Sequence, residues 1–205
     1  MLKHILSCVF YFLLSLSVVD AENMIRLRGM QPSPLLSKSA EKGVVKSGSS
    51  ETALKTNLGE SQSIMLSYGI FGIGTSSITT SFNNSGLDYI LKSEWMDVAL
   101  LFNGPGNTSF TFGSGNVSGG EGSVSDGSSE LIGKKVSGTA FFAAFGLEYV
   151  LPLNLDFIGL KFTEILLGYR ENKLEYKDFK NNSSSISSNL KFKSVQYQFG
   201  VGLVF

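Results

Sequence analysis

From Ser61 to Phe205, large apolar residues recur at every second position. A period of two places them on one face of a β-strand. Six segments carry the pattern. Ser63–Gly74 sets Ile64, Leu66, Tyr68 and Ile70 against Met65, Ser67, Gly69 and Phe71, with a continuation open through Phe82. Leu87–Phe102 sets Met96, Val98, Leu100 and Phe102 against Asp97, Ala99 and Leu101. Thr108–Gly115 is short, with Phe110 and Phe112 on one side. Lys135–Val150 groups Thr139, Phe141, Ala143, Phe145, Leu147 and Tyr149 opposite Gly138, Ala140, Phe142, Ala144, Gly146 and Glu148. Lys161–Tyr176 groups Thr163, Ile165, Leu167 and Tyr169 opposite Phe162, Glu164, Leu166, Gly168 and Arg170. The last segment, Val195–Phe205, alternates Tyr197, Phe199, Val201, Leu203 and Phe205 with Gln198, Gly200, Gly202 and Val204.

The connections differ in length. Asn83–Gly86, Asn103–Asn107 and a turn at Pro152–Asn154, open to lengthening through Leu160, are short. Gly113–Gly133 and Lys177–Asn189 are long, polar and rich in Gly, Ser and Asn. Short turns at one end and long polar loops at the other are the layout of a transmembrane barrel. A bilayer offers no water to unpaired backbone groups, so a sheet that spans it must close on itself. The fold class expected is therefore all-β, a transmembrane antiparallel up-and-down barrel over residues 61–205. Eight strands are the smallest closed single-chain number. Six are placed here; the missing pair is sought by splitting Ile64–Phe82, within Gly113–Ile132, or in the N-terminal extension. A multichain barrel is the alternative.

The terminal strand resembles the C-terminal signature of bacterial outer-membrane β-barrel proteins, with Phe205 last and Leu203, Val201, Phe199 and Tyr197 before it. The small OmpA-type transmembrane barrels are the members it is most similar to. The resemblance implies that these five residues are an assembly signal, read by the barrel assembly machinery. It also implies a Gram-negative cell envelope, with outer-membrane lipid around the barrel. A soluble, lipocalin-like carrier is the competing architecture; its apolar face would point inward instead.

The N-terminus supports export. Lys3 and His4 precede an apolar run from Ile5 to Val19, and Val19-Asp20-Ala21 closes it with a small-residue cleavage site. Residues 1–21 read as a cleaved signal peptide; a retained anchor is the alternative, but the run is short of the about 20 residues a spanning helix needs. Ile5–Cys8 imitates a lipoprotein box, but the apolar region follows Cys8 rather than preceding it. Residues 22–60 mix Ser, Lys, Gly and Pro without a period and read as a flexible N-terminal extension.

Composition narrows the function. Lys+Arg and Asp+Glu number 17 each, so no net charge steers the chain to nucleic acid. Charged residues make up 17%, below the roughly 25% of soluble domains. The one His and the one Cys, His4 and Cys8, fall in the signal peptide. The remainder has no imidazole base, no thiol and no ordinary zinc ligand set. Barrel enzymes that rely on a strand-borne His are thereby excluded, and no enzyme, cofactor or metal is expected. Gly113–Gly122 lacks the Lys-Ser/Thr ending of a phosphate loop.

Four charges lie on strands: Asp97, Glu148, Glu164 and Arg170. Their parity points them into the lumen. They are expected to form a paired interior plug, with Arg170 set against one or two of the carboxylates. Lys92 and Glu94 beside Trp95 read as interfacial positions at the membrane edge. The function expected is a small non-enzymatic outer-membrane barrel with a structural or surface-interaction role, polar loops outside and termini in the periplasm. The alternative is a narrow porin-like channel for ions or small solutes.

Overall fold

The computed structural model describes residues 24–32, 42–47, 50–55, 61–84, 86–127, 130–150, 158–180, 185–186 and 190–205. The signal peptide and the Pro152–Asn154 turn lie outside the described residues. In chain order the strands are β1 (Ile25–Pro32), β2 (Lys42–Ser47), β3 (Ser50–Lys55), β4 (Ser61–Tyr68), β5 (Phe71–Asn84), β6 (Leu87–Gly104) and β7 (Thr108–Ser125). They continue as β8 (Glu130–Gly133), β9 (Lys135–Tyr149), β10 (Phe162–Lys177), β11 (Phe179–Lys180), β12 (Ser185–Ile186) and β13 (Leu190–Val204).

Eight of these strands form a closed antiparallel barrel. Going round, β1 pairs with β4, then β5, β6, β7, β9, β10 and β13 follow, and β13 returns to β1. Closure leaves no sheet edge at the level where all eight strands pair, as a lipid environment requires. Beyond the main ring, β8 and β11 prolong the β7–β9–β10 wall, and β12 pairs with β11. The β2–β3 hairpin is a separate two-stranded sheet lying alongside β13 and β5.

The two strands missing from the sequence reading come from two places. The first segment splits at Gly69-Ile70, where Tyr68 faces Phe71 across a two-residue turn. Gly69 supplies the positive φ of 57° that such a tight hairpin needs. The outward face switches from Ile64, Leu66 and Tyr68 to Phe71 and Ile73 at the turn, and the adjacent Ile70 and Phe71 are the one mark of this phase change in the sequence. The other strand is β1. Ile25–Pro32 belongs to the barrel rather than to a flexible extension 22–60, so the barrel begins before Ser61. Ile25 and Leu27 point outward, while Arg26 and Arg28 point inward. A strand that buries arginines does not read as a strand until its partners are known. Gly113–Gly133 is corrected as well: up to Ser125 it is the outer half of β7, and only the remainder forms the connection, which includes β8. Gly and Ser occupy both of its faces, so no apolar period marks it.

The exterior carries an apolar belt. Met96, Val98, Leu100, Ile73, Phe141, Leu147, Ile165, Leu167 and Val201 are exposed, several above 50% and Ile73 at 66%. In water such a surface would be a large aggregation hazard; in lipid it is the contact face. Beyond the belt, towards the loop end, the outward positions change character. Glu171, Lys173, Glu175 and Lys177 on β10 face Lys191 and Lys193 on β13, with Lys193–Glu171 at 3.1 Å and Lys177–Glu175 at 3.1 Å. Strands β6 and β7 have 18 residues each and β10 has 16, against the 9–11 needed to cross a bilayer. The excess extends the barrel beyond the belt by about 15–20 Å at ordinary rise and tilt.

Candidate functional site

The interior is built in three levels. Nearest the short turns, β1 supplies Arg26 and Arg28, β10 supplies Glu164 and β9 supplies Glu148. Arg26 donates to Glu148 at 2.7 Å, to Glu164, and to Asn103 Oδ1 at 2.7 Å. Arg28 grips both oxygens of Glu164 at 2.7 Å each and also donates to Ser109 and Thr111. Ser109 donates to Glu164 at 2.9 Å. A forked guanidinium on a carboxylate with further donors is the arrangement that makes buried charge tolerable.

The second level lies further in. Arg170 Nη1 donates to Asp97 Oδ2 at 2.8 Å and Nη2 donates to Oδ1 at 3.0 Å. Ser76 donates to Asp97 and accepts from Arg170 at 3.1 Å. Arg170 Nε donates to Asn172, which donates to Ser194 at 3.2 Å. Gly115 belongs to this level by necessity: a Cβ there would strike Asp97 Oδ1. A cavity of about 30 Å³ lies between the two charged levels, lined by Arg28, Met65, Asp97, Thr111, Arg170 and Gln198 among others. It has room for a water or two.

The third level is apolar. Trp95 lies with its ring 5.0 Å from the Arg170 guanidinium; Phe142, 5.4 Å from it, belongs to a separate apolar cluster with Ala99 and Leu101 beside the cavity. Above Trp95, the interior is filled by Ile78, Phe82, Tyr89, Leu91, Leu174, Tyr176, Phe179, Leu190 and Phe192. Phe82 and Tyr89 stack at 4.6 Å. Tyr176 is fully buried there, and burial pushes its phenol well above the usual range. The barrel thus contains a soluble-type core in the part that stands above the belt.

The four charges singled out in the sequence all face inward: Asp97, Glu164 and Arg170 are deeply buried, and the Glu148 side chain is 11% exposed at the rim. Of the three carboxylates Arg170 pairs with Asp97, while Glu148 and Glu164 pair with Arg26 and Arg28. These two arginines are the residues that sequence reasoning missed. The signal that could have found them is the alternation Ile25-Arg26-Leu27-Arg28 itself. Lys92 and Glu94 point out, and Trp95 between them and Met96 is 1% exposed and interior. Tyr197, Phe199, Val201 and Leu203 face outward in the belt. Phe205 exchanges two backbone hydrogen bonds with Ile25, at 3.2 and 2.8 Å.

Three arginines face three carboxylates, and Ser76, Ser109, Asn103, Thr111 and Asn172 add hydrogen bonds to them. Among the described residues no group of three His, Cys, Asp or Glu is placed to hold a metal.

No family model matches the chain, and no curated protein is similar to it in sequence. Solved structures are similar in shape. Neisserial surface protein A overlays with a TM-score of 0.53 at 13% identity, over 90% of this chain and all of that one. The attachment invasion locus protein Ail of Yersinia pestis overlays at 0.46 and 15% identity, over 90% of this chain and 99% of that one. The outer membrane protein OprG of Pseudomonas aeruginosa overlays at 0.48 and 12% identity, over 89% and 96%. The first of these shows the fold: a small eight-stranded barrel of the bacterial outer-membrane kind.

Proposed function

We propose that the protein is a small, non-enzymatic barrel of the bacterial outer membrane whose lumen is sealed and whose role is structural or surface-interacting. The apolar belt faces lipid, the short turns and termini lie in the periplasm, and the prolonged strands carry the polar loops outward. The observation that carries this reading is the filling of the interior at three levels, broken by a small cavity between the charged ones. Charged side chains are matched in sign at two levels, and an aromatic core lies above them. An eight-stranded interior is only wide enough for its own side chains. A path for ions through it would need both a break in the Arg170–Asp97 pair and a hole beside Trp95. The non-enzymatic part rests on the residue supply, since His4 and Cys8 are the chain's one imidazole and one thiol.

Planar-bilayer recording of the purified protein tests the reading. Insertion without discrete current steps is the expected result. Steady single-channel steps would replace it with the narrow-channel reading.

A further inference from the structure

We propose that Arg28, Glu164 and Gly202 form a register key that specifies how the barrel closes. Closure joins β1 to β13, the strands furthest apart in sequence. The lipid face cannot fix their register. Outward residues on β13 are Tyr197, Phe199, Val201 and Leu203, all large and apolar. Sliding β1 by two residues keeps Ile25 and Leu27 facing lipid beside equivalent neighbours, because a slip of two preserves the face.

The lumen face discriminates. In the observed register Arg28 lies opposite Gly202, and Gly202 lies opposite Glu164 on the next strand. Arg28 reaches Glu164 by crossing over the residue between them. The crossing is open only because that residue has no side chain: a Cβ on Gly202 would lie 2.5 Å from Glu164 Oε2 and 3.1 Å from Arg28 Cγ. A slip of two in either direction breaks this set. One way, Arg26 takes the Gly202 row and Arg28 moves about 7 Å along the strand to sit opposite Gly200, whose β10 neighbour is Leu166. The other way, Arg28 takes the Val204 row that Arg26 holds in the observed register, and Arg26 passes the end of β13. Each slip leaves one of the two arginines without its carboxylate. A buried polar group that fixes register is the best-attested use of such pairs.

The test reads register directly. In the full chain carrying Cys8→Ser, one version receives Leu27→Cys with Leu203→Cys, which are opposed in the observed register. A second receives Leu27→Cys with Val201→Cys, opposed only after a slip. After refolding in detergent micelles and mild oxidation, the first pair is expected to cross-link and the second to do so weakly. Replacing Arg28→Met together with Glu164→Leu is expected to raise the slipped cross-link at least threefold. Arg170→Met with Asp97→Leu removes equal charge away from the seam and is expected to leave the ratio unchanged. Gly202→Ala keeps every charge and blocks the crossing; it is expected to raise the slipped product too, and it decides the question if the Arg28/Glu164 variant does not refold. A native cross-linking ratio in the seam variants, or an equal rise in the Arg170/Asp97 control, overturns the proposal.

Discussion

Arg170 and Asp97 meet across the lumen from β10 and β6, joined by two hydrogen bonds of 2.8 and 3.0 Å. Both side chains are almost completely buried. Removing one partner leaves the other's charge inside the barrel without compensation. Arg170→Leu is therefore expected to cost about 3–5 kcal/mol in urea unfolding of the refolded protein. Adding Asp97→Leu is expected to restore most of that loss, since two apolar side chains of similar size often match a buried pair. A single variant as stable as the parent would place Arg170 in water.

Trp95 fills the interior directly above that pair and is 1% exposed. Trp95→Ala opens a cavity in the aromatic core and withdraws the ring from Arg170. The expected cost is about 3–5 kcal/mol, read by the same unfolding experiment. An interfacial tryptophan would lose far less, so the size of the effect reports which side of the wall the ring occupies.

Phe205 pairs with Ile25 through backbone atoms, which survive in any residue at that position. Burial of its ring is worth about 1.5–3 kcal/mol at most, too little to prevent refolding in micelles. Its role as an assembly signal would act earlier, in the cell. Phe205→Ala is expected to lower outer-membrane insertion sharply while the purified chain still refolds. Val204→Ala, on the lumen face, is expected to do much less. Normal insertion without Phe205 would remove the assembly role.

A closed barrel resists detergent until heated. The protein is expected in the outer-membrane fraction, with gel mobility in SDS that changes on boiling. Recovery as a soluble periplasmic protein would favour a carrier instead.

The parts of the fold that were legible in the sequence share one property. On β6, β9, β10 and β13 one face is large and apolar and the other is small, polar or charged, so parity is visible at once. Asp97, Glu164 and Arg170 were placed in the lumen on that basis. The illegible parts lack such contrast. The outer half of β7 is Gly and Ser on both faces. The Gly69-Ile70 turn is marked only by a one-residue phase change between Ile70 and Phe71, and β1 hides its strand character behind two arginines. Pairing was the least legible feature. Which carboxylate Arg170 meets depends on which strands face each other across the lumen, and parity along one strand does not contain that information.

Met96 and its alternate neighbours on β6 face lipid, while Asp97 and its alternate neighbours face a filled interior. This orientation is tested most directly by spin labels placed singly at positions 95 to 101 of β6 in the protein reconstituted in lipid vesicles. Accessibility to a lipid-soluble relaxation agent should alternate with a period of two, high at Met96, Val98 and Leu100 and low at Trp95, Asp97, Ala99 and Leu101. The opposite phase, or uniform exposure to a water-soluble agent along the strand, would contradict the account.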